Sequence, residues 1–215
     1  SVLKAYSVEN EKFLNEIKDK YTDIGFDQDR IIQLIFLLQD NHKKDIIEID
    51  QSDSDFIDKR GERIKKCIDG TRAFLKHAGL YEYINVSRPS IIPLTFIAYH
   101  LFHLDNNDPS LYFENHETGN RDFIPIRKWW IMSLLNHVFQ RGNGWDPRIT
   151  GRRKILGVMK DNKNKIFPTE LIFDVYKNHS LHKFDSNLND TWEWLNWYER
   201  NLVIYLIYGK PTNFR

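Results

Sequence analysis

Asp29-Arg30-Ile31-Ile32-Gln33-Leu34-Ile35-Phe36-Leu37-Leu38-Gln39-Asp40 decides the fold. Wound at 3.6 residues per turn, its apolar side chains cover a helix nearly all round, which is the pattern of an element enclosed on every side. Asp27 stands where a side chain can cap the orphan amides of such a helix, and Gly25 breaks the chain ahead of it. The stretch therefore predicts a central buried helix that acts as the spine of the scaffold.

Outward from this spine the helical period continues in both directions. Ser7 is placed to cap a first helix reaching about Lys20. Residues 45–58 hold six carboxylates and no base, and 50–55 read as a flexible polar connection. A third helix is expected from Phe56 to His77, with Ile64, Cys67, Ile68, Phe74 and Leu75 at helical offsets and Gly79 as its stop. Gly61 and Gly70 each cost it about 1 kcal/mol relative to alanine, and Gly70 reads as a close approach or a break. Ser87-Arg88-Pro89-Ser90 forms a turn before a fourth helix over 91–103, where Pro93 falls in the tolerant first turn. Residues 105–120 read as a polar loop anchored by Leu111, Tyr112 and Phe113.

A fifth helix over 125–140 places Trp130, Leu134 and Val138 on one face and Ser133, Asn136, His137 and Gln140 on its polar side. Periodicity stops at Arg141-Gly142-Asn143-Gly144 and resumes after Thr150, a candidate cap for 152–160. Phe167-Pro168-Thr169 opens a helix to Asn178, and 190–197 and 199–208 supply the last two. Strand alternation never exceeds five residues, and no fixed-period repeat occurs. The expected fold is all-α: about eight helices in one irregular bundle without a substantial sheet, a single domain over 1–215 with its one candidate subdivision near 142–150.

The chain's 215 residues are 41% apolar, with 31 Lys plus Arg against 30 Asp plus Glu, for a net charge of +1. Those figures exclude disorder, collagen and coiled coil, and as a total they do not describe a polyanion-binding protein. A single cysteine, Cys67, cannot form an internal disulfide, and no signal peptide opens the chain, so a reducing cytoplasm is the expected setting. The apolar runs fall short of the roughly 18 residues of a membrane span, and no membrane partner is expected.

Balanced totals conceal one uneven segment. Arg141, Arg148, Arg152, Arg153, Lys154, Lys160, Lys163 and Lys165 face only Asp146 and Asp161, a local excess of eight minus two, or +6. Such a cluster, with Trp145 inside it, has the means to engage phosphates by charge and a base by stacking. The alternative is a solvated loop and helix face whose charges pair with the acidic 45–58 segment or with another domain. Arg141, Trp145, Arg148, Arg152, Arg153 and Lys154 are the candidate nucleic-acid-binding residues.

Catalytic signatures are sparse. His100 and His103, three apart, place two imidazoles near one helix face, and His179 and His182 repeat the spacing, but neither pair has a third ligand identifiable by spacing. Cys67 sits among Ile64, Ile68 and Leu75, as a small core residue does. The tryptophans Trp129, Trp130, Trp145, Trp192, Trp194 and Trp197 fit core packing better than an aromatic cage, although 192, 194 and 197 cannot all share one face. Phosphate-loop, nucleophile-elbow and zincin patterns do not occur. No catalytic residue, metal or cofactor is expected from these patterns.

An ordered series of pieces carries a resemblance. Thr71-Arg72-Ala73-Phe74-Leu75-Lys76, then Arg88-Pro89-Ser90-Ile91-Ile92-Pro93-Leu94-Thr95-Phe96-Ile97-Ala98, then Ile126-Arg127-Lys128-Trp129-Trp130, follow one another in this chain. They resemble the helical region of the GmrSD-like bacterial restriction and phage-defence proteins, with Arg141-Gly142-Asn143-Gly144 in the place of the family's Gly/Ser-rich bend. Glu199-Arg200-Asn201-Leu202-Val203-Ile204-Tyr205 is similar to the helix that precedes the family's nuclease module.

The resemblance spans about 56–208 and implies the helical middle of a larger protein. In the family a ParB-like nucleotide-hydrolysing domain with a D-G-Q-Q-R motif precedes this region, and a His-Asn-His nuclease often follows it. Neither motif occurs in these 215 residues, so no family catalytic residue maps onto any position. The longer bend, Trp145-Asp146-Pro147-Arg148-Ile149-Thr150, departs from the pattern. The implied role is a non-catalytic domain connecting nucleotide-hydrolysing and nuclease modules, with flanking domains and DNA as partners. Its rivals are a protein–protein interaction domain without nucleic-acid binding and a helical enzyme using His100, His103 or His137.

Overall fold

A computed structural model describes residues 8–41, 50–87, 90–114, 121–136, 138–139 and 150–179, with residues 200 and 203. Among the described residues the fold is all-α: eight α-helices, two short 3-10 turns and no strand. α1 (Val8–Tyr21) runs into a 3-10 turn (Thr22–Ile24) closed by Gly25, whose φ of 84° is the left-handed conformation that reverses the chain. α2 (Gln28–Leu38) follows, and the Asp27 carboxylate accepts the Arg30 amide at 2.8 Å as its cap. Every apolar side chain from Ile31 to Leu38 is buried, so α2 is enclosed as its pattern requires.

The spine is nevertheless a different helix. α3 (Gln51–His77) has 27 residues, about 40 Å at 1.5 Å per residue. It packs against α1, α2, α4 (Tyr81–Ser87), α5 (Ile92–His103) and the second 3-10 turn (Pro109–Leu111). It also begins earlier than its apolar period, and residues 51–55 are its first turn rather than a flexible connection. A capping box causes this: the Asp50 carboxylate accepts the Ser52 and Asp53 amides, while that of Asp53 accepts the Asp50 amide. Gly70 marks close packing, because a Cβ there would run into the Pro109 carbonyl oxygen.

α4 is an element the sequence reading did not contain. Gly79, at φ 70°, lets the Leu80 amide reach back to the Leu75 carbonyl at 2.9 Å, and the chain starts a new two-turn helix at once. α6 (Phe123–Leu135) is shorter at its end than expected, since Asn136 folds its amide onto the Met132 carbonyl at 2.9 Å. Two residues of its supposed polar side, Ser133 and Asn136, are buried, while His137 and Gln140 lie outside the described residues. α7 (Arg152–Asp161) and α8 (Thr169–Asn178) lie where predicted, although the residue ahead of α7 is Gly151 with no side-chain cap, not Thr150. α8 packs on both α6 and α7. Ser7, the 142–150 subdivision apart from Thr150, and the tail helices apart from helical Arg200 and Val203 lie outside the described residues.

Three aspartates tie these helices together, each accepting a tyrosine hydroxyl. Asp23 takes Tyr81 at 2.5 Å and pairs with Arg72 at 2.6 Å. Asp40 takes Tyr99 at 2.6 Å and pairs with Lys163 at 2.7 Å. Asp122 takes Tyr112 and the Phe167 backbone amide. Burial and then the facing carboxylate raise the Tyr99 and Tyr112 hydroxyls far above their ordinary pKa, so each phenol stays a donor.

Candidate nucleic-acid interface

α7 is amphipathic, and that property positions the basic side chains. Ile155, Leu156 and Met159 are buried, which leaves Arg153, Lys154, Gly157, Lys160 and Asp161 on the outer face. Arg153 and Lys154 are exposed, and no ion pair engages either among the described residues. A Cβ at Gly157, one turn further on, would meet nothing within 4 Å, so the outer face is open at that position.

The remaining basic residues divide differently. Arg152 turns inward, where its Nη2 donates to the Gln33 carbonyl at 3.3 Å. Burial, and after it the charge of Arg30, hold that guanidinium below its ordinary pKa. Lys160 and Lys163 approach Asp40 at 3.9 and 2.7 Å, and Lys165 donates to the Asp161 carbonyl at 3.0 Å. Burial works against ionisation of Asp40, but the hydrogen bonds from Lys163 and Tyr99 outweigh it and keep the carboxyl below its usual range. Internal neutralisation thus runs to the C-terminal end of α2. Of the 50–58 carboxylates, Asp50 and Asp53 build the α3 cap, and Asp55 accepts from Gln51 at 2.9 Å. Arg141, Trp145 and Arg148 lie outside the described residues.

The other candidate groups serve the interior. His100, 3% exposed, lies 3.3 Å from the Oδ2 atom of fully buried Asp122. Burial alone would raise the Asp122 pKa, but His100, Tyr112 and the Phe167 amide together hold it below the usual carboxylate value. His103 points to a different cluster, its ring 4.4 Å from that of Tyr99. Desolvation and then Lys163 depress its pKa to about 4, so it is neutral at physiological pH. The two imidazoles therefore do not converge on one ion, and no group of three or more metal-ligating side chains occurs among the described residues.

Cys67 is fully buried, and desolvation pushes its thiol up to about 12, far from a reactive thiolate. Trp129 and Trp130 are core residues, Trp129 donating to the Tyr176 hydroxyl at 2.8 Å. His179 is half-buried at the end of α8. His137, His182, Trp192, Trp194 and Trp197 lie outside the described residues.

Sequence reasoning missed Arg30, Gln33 and Asp40, all within the stretch that decided the fold. Their signal was present, because Arg30 and Gln33, three apart, are the polar break on one face of an otherwise apolar helix.

Together these features define an all-α domain whose interior groups are committed to packing and whose helix α7 presents cations outward. Compared with known proteins, the chain matches no family model, no curated protein and no solved structure.

Proposed function

We propose that this chain is the helical middle of a GmrSD-like restriction or phage-defence protein, non-catalytic by itself. It connects and orients nucleotide-hydrolysing and nuclease modules, and it offers the outer face of α7 to nucleic-acid phosphate. The observation that carries the phosphate half is the exposure of Arg153 and Lys154 without a described ion-pair partner, on the same helix whose more distant lysine, Lys160, is drawn toward Asp40. The non-catalytic half is supported by the interior engagement of His100, His103 and Cys67. The family assignment rests on the three helical sequence pieces quoted above, and a D-G-Q-Q-R motif encoded in the same open reading frame upstream of Ser1 is its test.

Salt dependence tests the phosphate contact. Each phosphate neutralised contributes about 0.9 to the slope of log affinity against log salt, so Arg153→Ala with Lys154→Ala should lower that slope by about 2 for a labelled duplex. Backbone contact carries no base readout, and the loss should be uniform across sequences. Absence of binding at low salt would leave the protein–protein reading in its place. A specific observation favours that second reading: Ile124 at the start of α6 and Ile166 and Leu171 about the start of α8 are exposed. This is the end where Thr169 ties α8 to the Pro125 carbonyl at 2.8 Å.

A further inference from the structure

Gln33 stands between two guanidiniums. Arg30 Nη1 donates to its side-chain oxygen at 2.8 Å, and Arg152 Nη2 donates to its backbone carbonyl at 3.3 Å. Two arginines far apart in the sequence thus meet at one residue. Both are half-buried, and both have a neutral partner only: no described carboxylate lies within ion-pair range of either. Burial and the nearby Arg30 charge disfavour the Arg152 cation where it stands. Half-buried cations are ordinarily paired, because desolvation and mutual repulsion otherwise go uncompensated. Each guanidinium has five donors, and no nitrogen of either is both buried and without a partner. The donors not directed at Gln33 therefore remain open to solvent.

We propose that Arg30 and Arg152 form a seat for one phosphoryl group, with Gln33 as the post that positions both. Arginine suits this ligand, because its planar fork donates two parallel hydrogen bonds to phosphate oxygens, and the anion removes the repulsion that the free chain carries. The seat goes beyond the phosphate reading of the outer face of α7 and is independent of it, adding a residue from outside the basic stretch. A phosphoryl group can arrive as a nucleic-acid phosphodiester or as a free phosphate compound, and the chemistry of the seat is the same for both.

The test is thermal unfolding of the 215-residue chain in rising inorganic phosphate, with ionic strength held constant by chloride. Wild-type protein should gain melting temperature with phosphate by mass action. Arg30→Gln and Arg152→Gln should each weaken the phosphate effect about tenfold or more, the worth of a charge-assisted hydrogen bond. Without phosphate both variants should melt at or above wild type, since one of two repelling charges is gone; a purely structural arginine would give the opposite sign. Failure of Arg152→Gln to fold, or a lower melting temperature for either variant without phosphate, would mark that arginine as structural and overturn the seat.

Arg153→Ala with Lys154→Ala should keep the phosphate response. If labelled oligonucleotide is displaced by phosphate and weakened by Arg30→Gln, the seat holds a backbone phosphodiester. If phosphate stabilises the chain but no oligonucleotide binds, the seat stands with a free phosphoryl ligand and the α7 reading fails. A flat wild-type response to phosphate, or an undiminished response in Arg30→Gln, overturns the seat even where α7 still binds oligonucleotide.

Discussion

Asp122 shows how much one residue can hold. It is fully buried, and it joins the start of α6 to Tyr112, to His100 on α5 and to the backbone just before α8. Replacing it by alanine leaves the buried Phe167 amide without its acceptor and should cost about 1 to 3 kcal/mol in urea unfolding. His103 makes a pH prediction with a definite sign. Its folded pKa of about 4 lies below the ordinary imidazole value of 6.5 expected in the unfolded chain, so the folded state resists protonation. The stability this contributes is present above pH 6.5 and is lost as pH falls toward 4. His103→Phe should flatten the loss of melting temperature across that window. An unchanged pH profile would assign the acid limb to the carboxylates instead. The sequence made Cys67 and Trp130 legible as core residues because their neighbours at helical offsets are apolar. It left His100 without a role, because Asp122 is 22 positions away and only the fold brings them together.

At the scale of elements, two mid-helix glycines make opposite predictions. Gly70 on α3 lets the Pro109 backbone and Leu101 approach, and Gly70→Ala must push that 3-10 turn off the helix, with a loss of about 1 to 3 kcal/mol. Gly157 on α7 has open space where a Cβ would stand, so Gly157→Ala should stabilise by about 0.5 to 1 kcal/mol through helix propensity alone. Thermal melts of the two variants moving in the same direction would contradict this assignment. Helix interiors were legible for a general reason: the 3.6-residue period is a property of the segment itself. Helix ends were less so. α3 starts at a polar capping box that resembles a loop in composition, and α6 ends where one asparagine side chain turns back on its own helix. α4 is two turns long, too short for its period to separate it from a turn.

Charge is arranged on the scale of the whole molecule, and this is where the basic segment could not be read from sequence alone. A local excess of +6 looked like one surface, yet α7 lies beside α2, and the chain puts Asp40 at the end of α2 within reach of Lys160 and Lys163. That carboxylate offsets one unit of positive charge, shared between two lysines, while joining residues 123 positions apart. Asp40→Asn isolates this effect. The backbone at residue 40 has φ 60°, a left-handed conformation that asparagine tolerates, and the amide oxygen can still accept from Tyr99. Loss of a partly exposed ion pair should cost about 1 kcal/mol or less, so the fold survives. Lys160 and Lys163 would then be released from their internal anion. If phosphate approaches along α7, the variant should bind a labelled duplex more tightly at low salt, with a slope steeper by up to about 2, at roughly 0.9 per added phosphate. A gain of binding from a substitution that mildly destabilises the protein cannot arise from general damage. Unchanged affinity and slope, in a variant shown by circular dichroism to keep its helices, would mean that the two lysines face away from any nucleic acid and that Asp40 serves only to fasten α7 to α2.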